Sequence, residues 1–265
     1  MDKSEYRNAF TNFNNEIGLN IHKDNFPLPS EILKKIGNNT VDIFPWNIQL
    51  LLENKLNYLP RTVIQSYTAY TPYLEELNFN HYNSTNGPEF VIFDYASIDE
   101  RYPLYDESKV HLSLIKNYEI VSSFEYDKRN LLLLQRKKDF KPISFIKQKE
   151  YAMYISSPLI IKDDIYYEVS LYNSFQGKIK STIKHAPEVS IEIIGEKGQI
   201  LKYKSSRLLL ESGVFSQYVI SQTSDFISLI ESQKSQNKMK RLYFRPLDTD
   251  LFKDKIKITE YKITQ

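Results

Sequence analysis

Three short runs of β-branched and aromatic residues recur between positions 41 and 95, and each leads at once into a polar-aromatic motif. Val41-Asp42-Ile43-Phe44 is followed by Pro45-Trp46-Asn47, and Thr62-Val63-Ile64 by Gln65-Ser66-Tyr67. Phe90-Val91-Ile92-Phe93 is followed by Asp94-Tyr95 and then Ile98-Asp99-Glu100-Arg101-Tyr102-Pro103. Short runs of this kind, bounded by turn formers, read as strands. Helical patterns lie between them, and such alternation predicts a mainly parallel, three-layer α/β sheet. In an open parallel sheet the three motifs leave at one edge, the edge at which ligands bind.

The helical patterns are specific. Tyr6, Phe10, Phe13 and Ile17 predict an amphipathic helix over residues 3–17, stopped at Gly18. Ser30 is placed to cap a helix from Glu31 to Ile36, with Gly37 at its end. Ile48, Leu51 and Leu52 share one apolar face after Pro45. Thr71-Pro72 opens a helix with Leu74, Leu77 and His81 inward, and Gly87-Pro88 breaks it. Strands are expected at Thr62–Gln65 and Glu89–Tyr95. A helix over Ser108–Asn117 leads to strands Tyr118–Glu125 and Leu131–Arg136, a hairpin at the sheet's edge.

After Lys137-Lys138-Asp139 the pattern becomes strand-rich. Ile165–Tyr172, Glu188–Ile194, Gln199–Tyr203, Lys240–Arg245 and Lys255–Tyr261 read as strands, and Asp225 to Glu231 as a short helix capped by Ser224. The expected organisation is a Rossmann-like α/β domain over 1–138 and a β-sandwich of jelly-roll type over 139–265.

Composition narrows the function classes. The chain has no cysteine, which removes disulfides, thiol nucleophiles and cysteine metal sites. Its net charge is +2, divided as −3 over residues 1–138 and +5 over 139–265, with no strong field for a polyanion. The basic clusters Lys128-Arg129, Arg136-Lys137-Lys138 and Lys238 to Arg241 belong to no nucleic-acid module and read as solvated edges. No apolar run approaches a membrane span, and the N-terminus lacks the layout of a signal peptide. No phosphate loop, dinucleotide fingerprint or hydrolase elbow is present, so no cofactor is implied. His22, His81, His111 and His185 lack metal-ligand spacing, and Asp99, Glu100, Asp106 and Glu107 lack the spacing of a calcium loop.

Two kinds of chemistry remain. Asp94 and Asp99 form the best carboxylate pair for acid–base or glycosidic work, with Arg101 to orient one of them or hold an anion. The structural alternative is an Asp99–Arg101 salt bridge that fixes its loop, and it is favoured. Trp46, Tyr67, Tyr70, Tyr73, Tyr95 and Tyr102 gather at the same edge, where flat rings with polar tips suit sugars. Tyr70 and Tyr73 have the alternative of packing into the core. Gln65 and Ser66 add hydrogen-bonding groups there.

The runs Val41 to Trp46, Pro60-Arg61-Thr62-Val63-Ile64-Gln65-Ser66-Tyr67-Thr68-Ala69-Tyr70-Thr71-Pro72-Tyr73-Leu74 and Ile98 to Pro103 resemble the soluble C-terminal region of large, uncharacterised bacterial multi-pass membrane proteins. The membrane portion of that group is similar to lipid-linked-sugar glycosyltransferases. Lys184-His185-Ala186-Pro187-Glu188-Val189 and the segment from Gly213-Val214-Phe215 to Asp225-Phe226 extend the resemblance over most of the chain. It implies an extracytoplasmic location and tethering through a membrane segment absent from this chain. Asn47 stands where the group carries an acid, and Lys55 where it carries glycine; Asn47 in place of a carboxylate speaks against catalysis. The expected function is therefore non-catalytic binding of carbohydrate or glycolipid through Trp46, Gln65, Ser66, Tyr67, Tyr95 and Tyr102. The alternative is part of a glycosyl-transferring or glycoside-hydrolysing enzyme built on Asp94, Asp99 and Arg101.

Overall fold

The computed structural model describes residues 27–183, 188–215, 217–232 and 237–265. The helix expected over 3–17 lies outside them, as does the 184–187 part of the resembling segment. In chain order the elements are α1 (Ser30–Ile36), β1 (Val41–Phe44), α2 (Gln49–Glu53), α3 (Pro72–Tyr82), β2 (Phe90–Phe93), α4 (Ser108–Asn117), β3 (Tyr118–Tyr126), β4 (Arg129–Arg136), β5 (Ser144–Tyr154), β6 (Leu159–Ile160), β7 (Ile165–Ser170), α5 (Phe175–Ile183), β8 (Val189–Gly195), β9 (Ile200–Ser205), α6 (Arg207–Ser212), β10 (Val214–Phe215), α7 (Thr223–Ser232), β11 (Met239–Pro246) and β12 (Lys255–Thr264).

The strands form three four-stranded sheets, ordered β1-β2-β4-β3, β10-β7-β12-β5 and β6-β11-β8-β9. Within them only β1 and β2 pair in parallel; the other pairs are antiparallel. This corrects the expected fold, which was a large parallel Rossmann-like sheet followed by a jelly roll. Two causes stand out. Thr62–Gln65 is not a strand, because its backbone polar groups are taken by side chains: the Arg61 guanidinium bonds the Val63 and Ile64 carbonyls, and Asn78 bonds both the N–H and the carbonyl of Val63. The central groups of the run are thereby satisfied without a neighbouring strand. The four leucines 131–134 are all buried, so β4 is an interior strand lying antiparallel to β2. A continuous apolar run marks a strand covered on both faces. The more polar β3 takes the sheet edge.

Both faces of the first sheet are apolar, as the period of two requires. Val41, Ile43, Phe90, Ile92, Leu131 and Leu133 pack with Ile32 and Ile36 of α1 and Leu50 and Leu51 of α2. Phe44, Val91, Phe93, Leu132 and Leu134 face a larger core that continues through Val169 and Ile258 of the second sheet and Ile191 and Phe244 of the third.

Local expectations shift in informative ways. Pro29, not Ser30, stands at the N-cap of α1. The buried face of α3 is Glu75, Asn78, Phe79 and Tyr82, one position round from Leu74, Leu77 and His81. The eleven-residue β5 was missed because it is an edge strand carrying Lys147, Gln148, Lys149 and Glu150. Gly213, at the start of a resembling segment, has φ 106°, and a Cβ there would lie 2.2 Å from the Tyr166 ring; that position needs glycine for shape alone.

Candidate functional site

The strongest polar feature beneath the 45–73 segment is buried. Alternation along β1 puts Asp42 on the side of Phe44, and it is fully buried. An acid there requires a partner, and Arg61 supplies it. Arg61 Nη1 lies 3.2 Å from both carboxylate oxygens and donates to the Ile43 carbonyl at 2.6 Å. Its Nε donates to the Val63 carbonyl at 3.0 Å, and its Nη2 bonds the Pro45 and Ile64 carbonyls. Tyr82 of α3 donates its hydroxyl to Asp42 Oδ2 at 2.7 Å, and His81 Nε2 lies 3.6 Å from the same oxygen. Burial pushes the Asp42 carboxyl up, but Arg61, His81 and Tyr82 more than offset this and hold it below the ordinary value. Arg61 is held further into its charged range.

Asn78 extends the cluster by donating to Glu107 Oε1 at 2.6 Å. Glu107 opens α4 in a left-handed conformation and is wholly buried. Burial raises it to about 7 against the pull of Arg61. Glu75, buried on α3, accepts the Lys109 N–H at 2.8 Å and is raised to about 8 by burial. The chemistry is that of a brace. Arg61 and Asn78 satisfy the carbonyls of two irregular segments and lock them together. The Ser66 hydroxyl donates to the Pro45 carbonyl at 2.9 Å, and no contact joins it to His81 among the described residues, so no nucleophile–base relay forms. Sequence reading missed this site, although an acid inside a β-branched run was the available signal.

Above the brace, Trp46 meets Tyr67 edge-to-face with ring centroids 5.9 Å apart, and Tyr67 donates its hydroxyl to Gln65 Oε1 at 2.6 Å. Tyr70 and Tyr73 are 46% and 71% exposed, so neither packs into the core. Lys55, after α2, has φ 52°, the conformation suited to the glycine of the resembling group.

The carboxylates are tied down separately. Asp94 pairs with Arg129 at 2.5 Å, and burial raises it despite that partner. Asp99 is exposed at a left-handed corner, 3.9 Å from Arg101, whose other nitrogen lies 3.5 Å from the buried Asp106. Burial raises Asp106 to about 6 in spite of Arg101. Tyr95 and Tyr102 turn away from the aromatic run. The Tyr95 hydroxyl donates to the Ile220 carbonyl at 2.8 Å, and the Ile220 N–H donates to the buried Tyr102 hydroxyl at 3.0 Å. The predicted residues thus fall into three groups: Trp46, Gln65 and Tyr67 together over Ser66, Asp94 with Arg129, and Asp99 and Arg101 beside the tyrosine clamp.

Among the described residues a hollow of about 320 Å³ lies beside Gln199 and Asp225, and a larger one of about 470 Å³ beside Lys238 and Arg241. Among the described residues no group of three or more acids or histidines could hold a metal, and no helix is long and apolar enough to cross a membrane.

No protein-family model and no curated protein matches the chain. A solved structure of Pseudomonas aeruginosa AlgX is similar to it at 14% identity with a TM-score of 0.24, over 87% of this chain and 50% of that one. The chain therefore spans half the length of that structure, and a score of this size defines no shared fold.

Proposed function

We propose that this chain is a non-catalytic, extracytoplasmic binding region whose ligand is a carbohydrate or glycolipid, taken at the cluster of Trp46, Gln65 and Tyr67 and by the exposed Tyr70 and Tyr73 that follow it in the chain. One observation carries the reading: the half-buried rings of Trp46 and Tyr67 meet edge-to-face directly after backbone that a buried guanidinium ties down, and the exposed Tyr70 and Tyr73 follow in the same segment. Arg61 bonds the carbonyls of Ile43, Pro45, Val63 and Ile64, the residues that flank Trp46 and Gln65. Pre-organisation of this kind lowers the cost of binding. Flat rings with hydroxyl tips pair with the apolar faces and polar rims of sugar rings. The extracytoplasmic location and the glycan class draw on the sequence resemblance.

Trp46 is the chain's single tryptophan, so its fluorescence reports this site directly. Titration with cell-envelope oligosaccharides should shift that emission saturably, and Tyr67→Ala and Tyr73→Ala should weaken the response. Unchanged emission, together with no heat of binding by calorimetry, would remove the proposal.

A further inference from the structure

The smaller hollow lies between the β8–β9 hairpin and the first turns of α7, apart from the aromatic cluster. Its walls are mostly neutral and polar, with Gln199 on one side and Ser224 and Ser228 on the other. One cation, Lys197, and one carboxylate, Asp225, line it, and Val219 adds an apolar contact. Its volume of about 320 Å³ is at the low end for ligand sites, the scale of one small ring compound.

The walls are fixed in advance. Asp225 Oδ2 accepts both the N–H and the hydroxyl of Ser221, at 2.9 and 2.8 Å. Asn237 donates its side-chain amide to Gln199 Oε1 at 2.6 Å, which orients the Gln199 NH2 as a donor. The Val219 N–H donates to the Asn237 carbonyl at 2.9 Å. Between Val219 and Ser221, Ile220 is held from behind by Tyr95 and Tyr102. Two tyrosines of the 94–103 motif thus set the floor of a hollow more than a hundred residues away in sequence.

We infer that this hollow binds a small neutral polyol of the size of a single sugar ring, through Gln199, Ser224, Asp225 and Ser228. Hydroxyl, amide and carboxylate groups together supply both the donors and the acceptors that adjacent hydroxyls require. One cation and one carboxylate cancel, so the hollow presents no net charge to select an ion, and hydrogen bonding decides the ligand. The larger hollow offers no such site: Lys238 is paired with Asp163 at 2.8 Å and Lys240 with Glu196 at 3.5 Å, so a ligand there would have to break ion pairs.

The test is saturation-transfer NMR on the full chain with glucose, galactose and myo-inositol, and with glucuronate and glucosamine as charged counterparts. At least one neutral compound should bind. Its affinity should fall about tenfold in Asp225→Asn and in Ser224→Ala, as expected for loss of a strong hydrogen bond, and stay unchanged in Tyr73→Ala. The Asp225→Asn side chain still accepts from Ser221, so the fold is retained, and a melting curve verifies it. Failure of all three neutral compounds, tighter binding of glucuronate or glucosamine, or indifference to Asp225→Asn and Ser224→Ala overturns the inference. Affinity that falls in Tyr73→Ala and not in Asp225→Asn would move the binding to the Trp46 site and likewise overturn the inference, while the fluorescence of Trp46 reads that site independently.

Discussion

Arg61 shows how one buried cation shapes a backbone. Its guanidinium joins Asp42 to carbonyls on either side of the 46–62 stretch; Tyr82 shares the Asp42 carboxylate with it and Ser66 the Pro45 carbonyl, but Arg61 is the cation that balances the buried acid. Asp42→Ala should therefore destabilise the chain by about 3–5 kcal/mol, because it leaves an uncompensated charge behind. Urea unfolding would measure it, and a loss under 1 kcal/mol, on the scale of an exposed pair, would mean that water reaches Arg61. Neither partner was read as part of a site. The contact spans 19 residues, and periodicity reports only that position 42 lies in a strand, not what faces it. Lys55 is the converse case, where the resemblance pointed to glycine and the backbone is left-handed. Lys55→Gly should stabilise by about 0.5 kcal/mol, the relief of side-chain strain less the added freedom of the unfolded chain. A lower urea midpoint would show that the lysine stem contributes more than the strain costs.

At the scale of elements, α3 and α4 carry the pH dependence. The existence of both was legible from caps and apolar spacing, and the bounds of α4 match the expectation. The inward face of α3 was not legible, because Glu75 and Asn78 are buried by hydrogen bonds that no hydrophobic pattern encodes. Burial raises Glu75 from 4.5 to about 8 and Glu107 from 4.5 to about 7. The folded chain therefore keeps protons that the unfolded chain has released, and stability falls as pH rises toward those values. His111, pushed down to about 4 by burial, and Asp106, at about 6, act on stability mainly below pH 6.5. Between pH 7 and 8 Glu75 dominates, and stability should drop by about 1.4 kcal/mol per pH unit while its proton is held, less as pH nears 8. Glu75→Gln keeps an acceptor for the Lys109 N–H and should flatten this slope. A slope that survives the substitution would assign it to another group.

At the scale of the molecule, alternation within strands was legible but partnership between them was not. β8, β9, β11 and β12 were each expected near their true positions, yet sheet order depends on pairings far apart in sequence, such as β11 with β6 and β12 with β5. The expected division at residues 138 and 139 followed a change in pattern, while packing runs across that point. The larger core joins Phe44, Phe93 and Leu132 to Phe226, Phe244 and Ile258, and Phe93 stacks on Phe226 with centroids 4.2 Å apart. Hydrogen bonds cross it as well: Ser108 Oγ accepts the Phe215 N–H at 2.8 Å, and Asn83 Oδ1 accepts the Ile143 N–H at 2.7 Å. Segments that share a core lose their packing together, so thermal unfolding should be one transition with calorimetric and van't Hoff enthalpies in agreement. Tyr102→Phe leaves the Ile220 N–H buried without an acceptor, which costs about 1–3 kcal/mol. It should lower that single transition without splitting it. Two resolved transitions in the unsubstituted chain would instead show that residues 1–138 and 139–265 fold as separate units, with the shared aromatic core too weak to couple them.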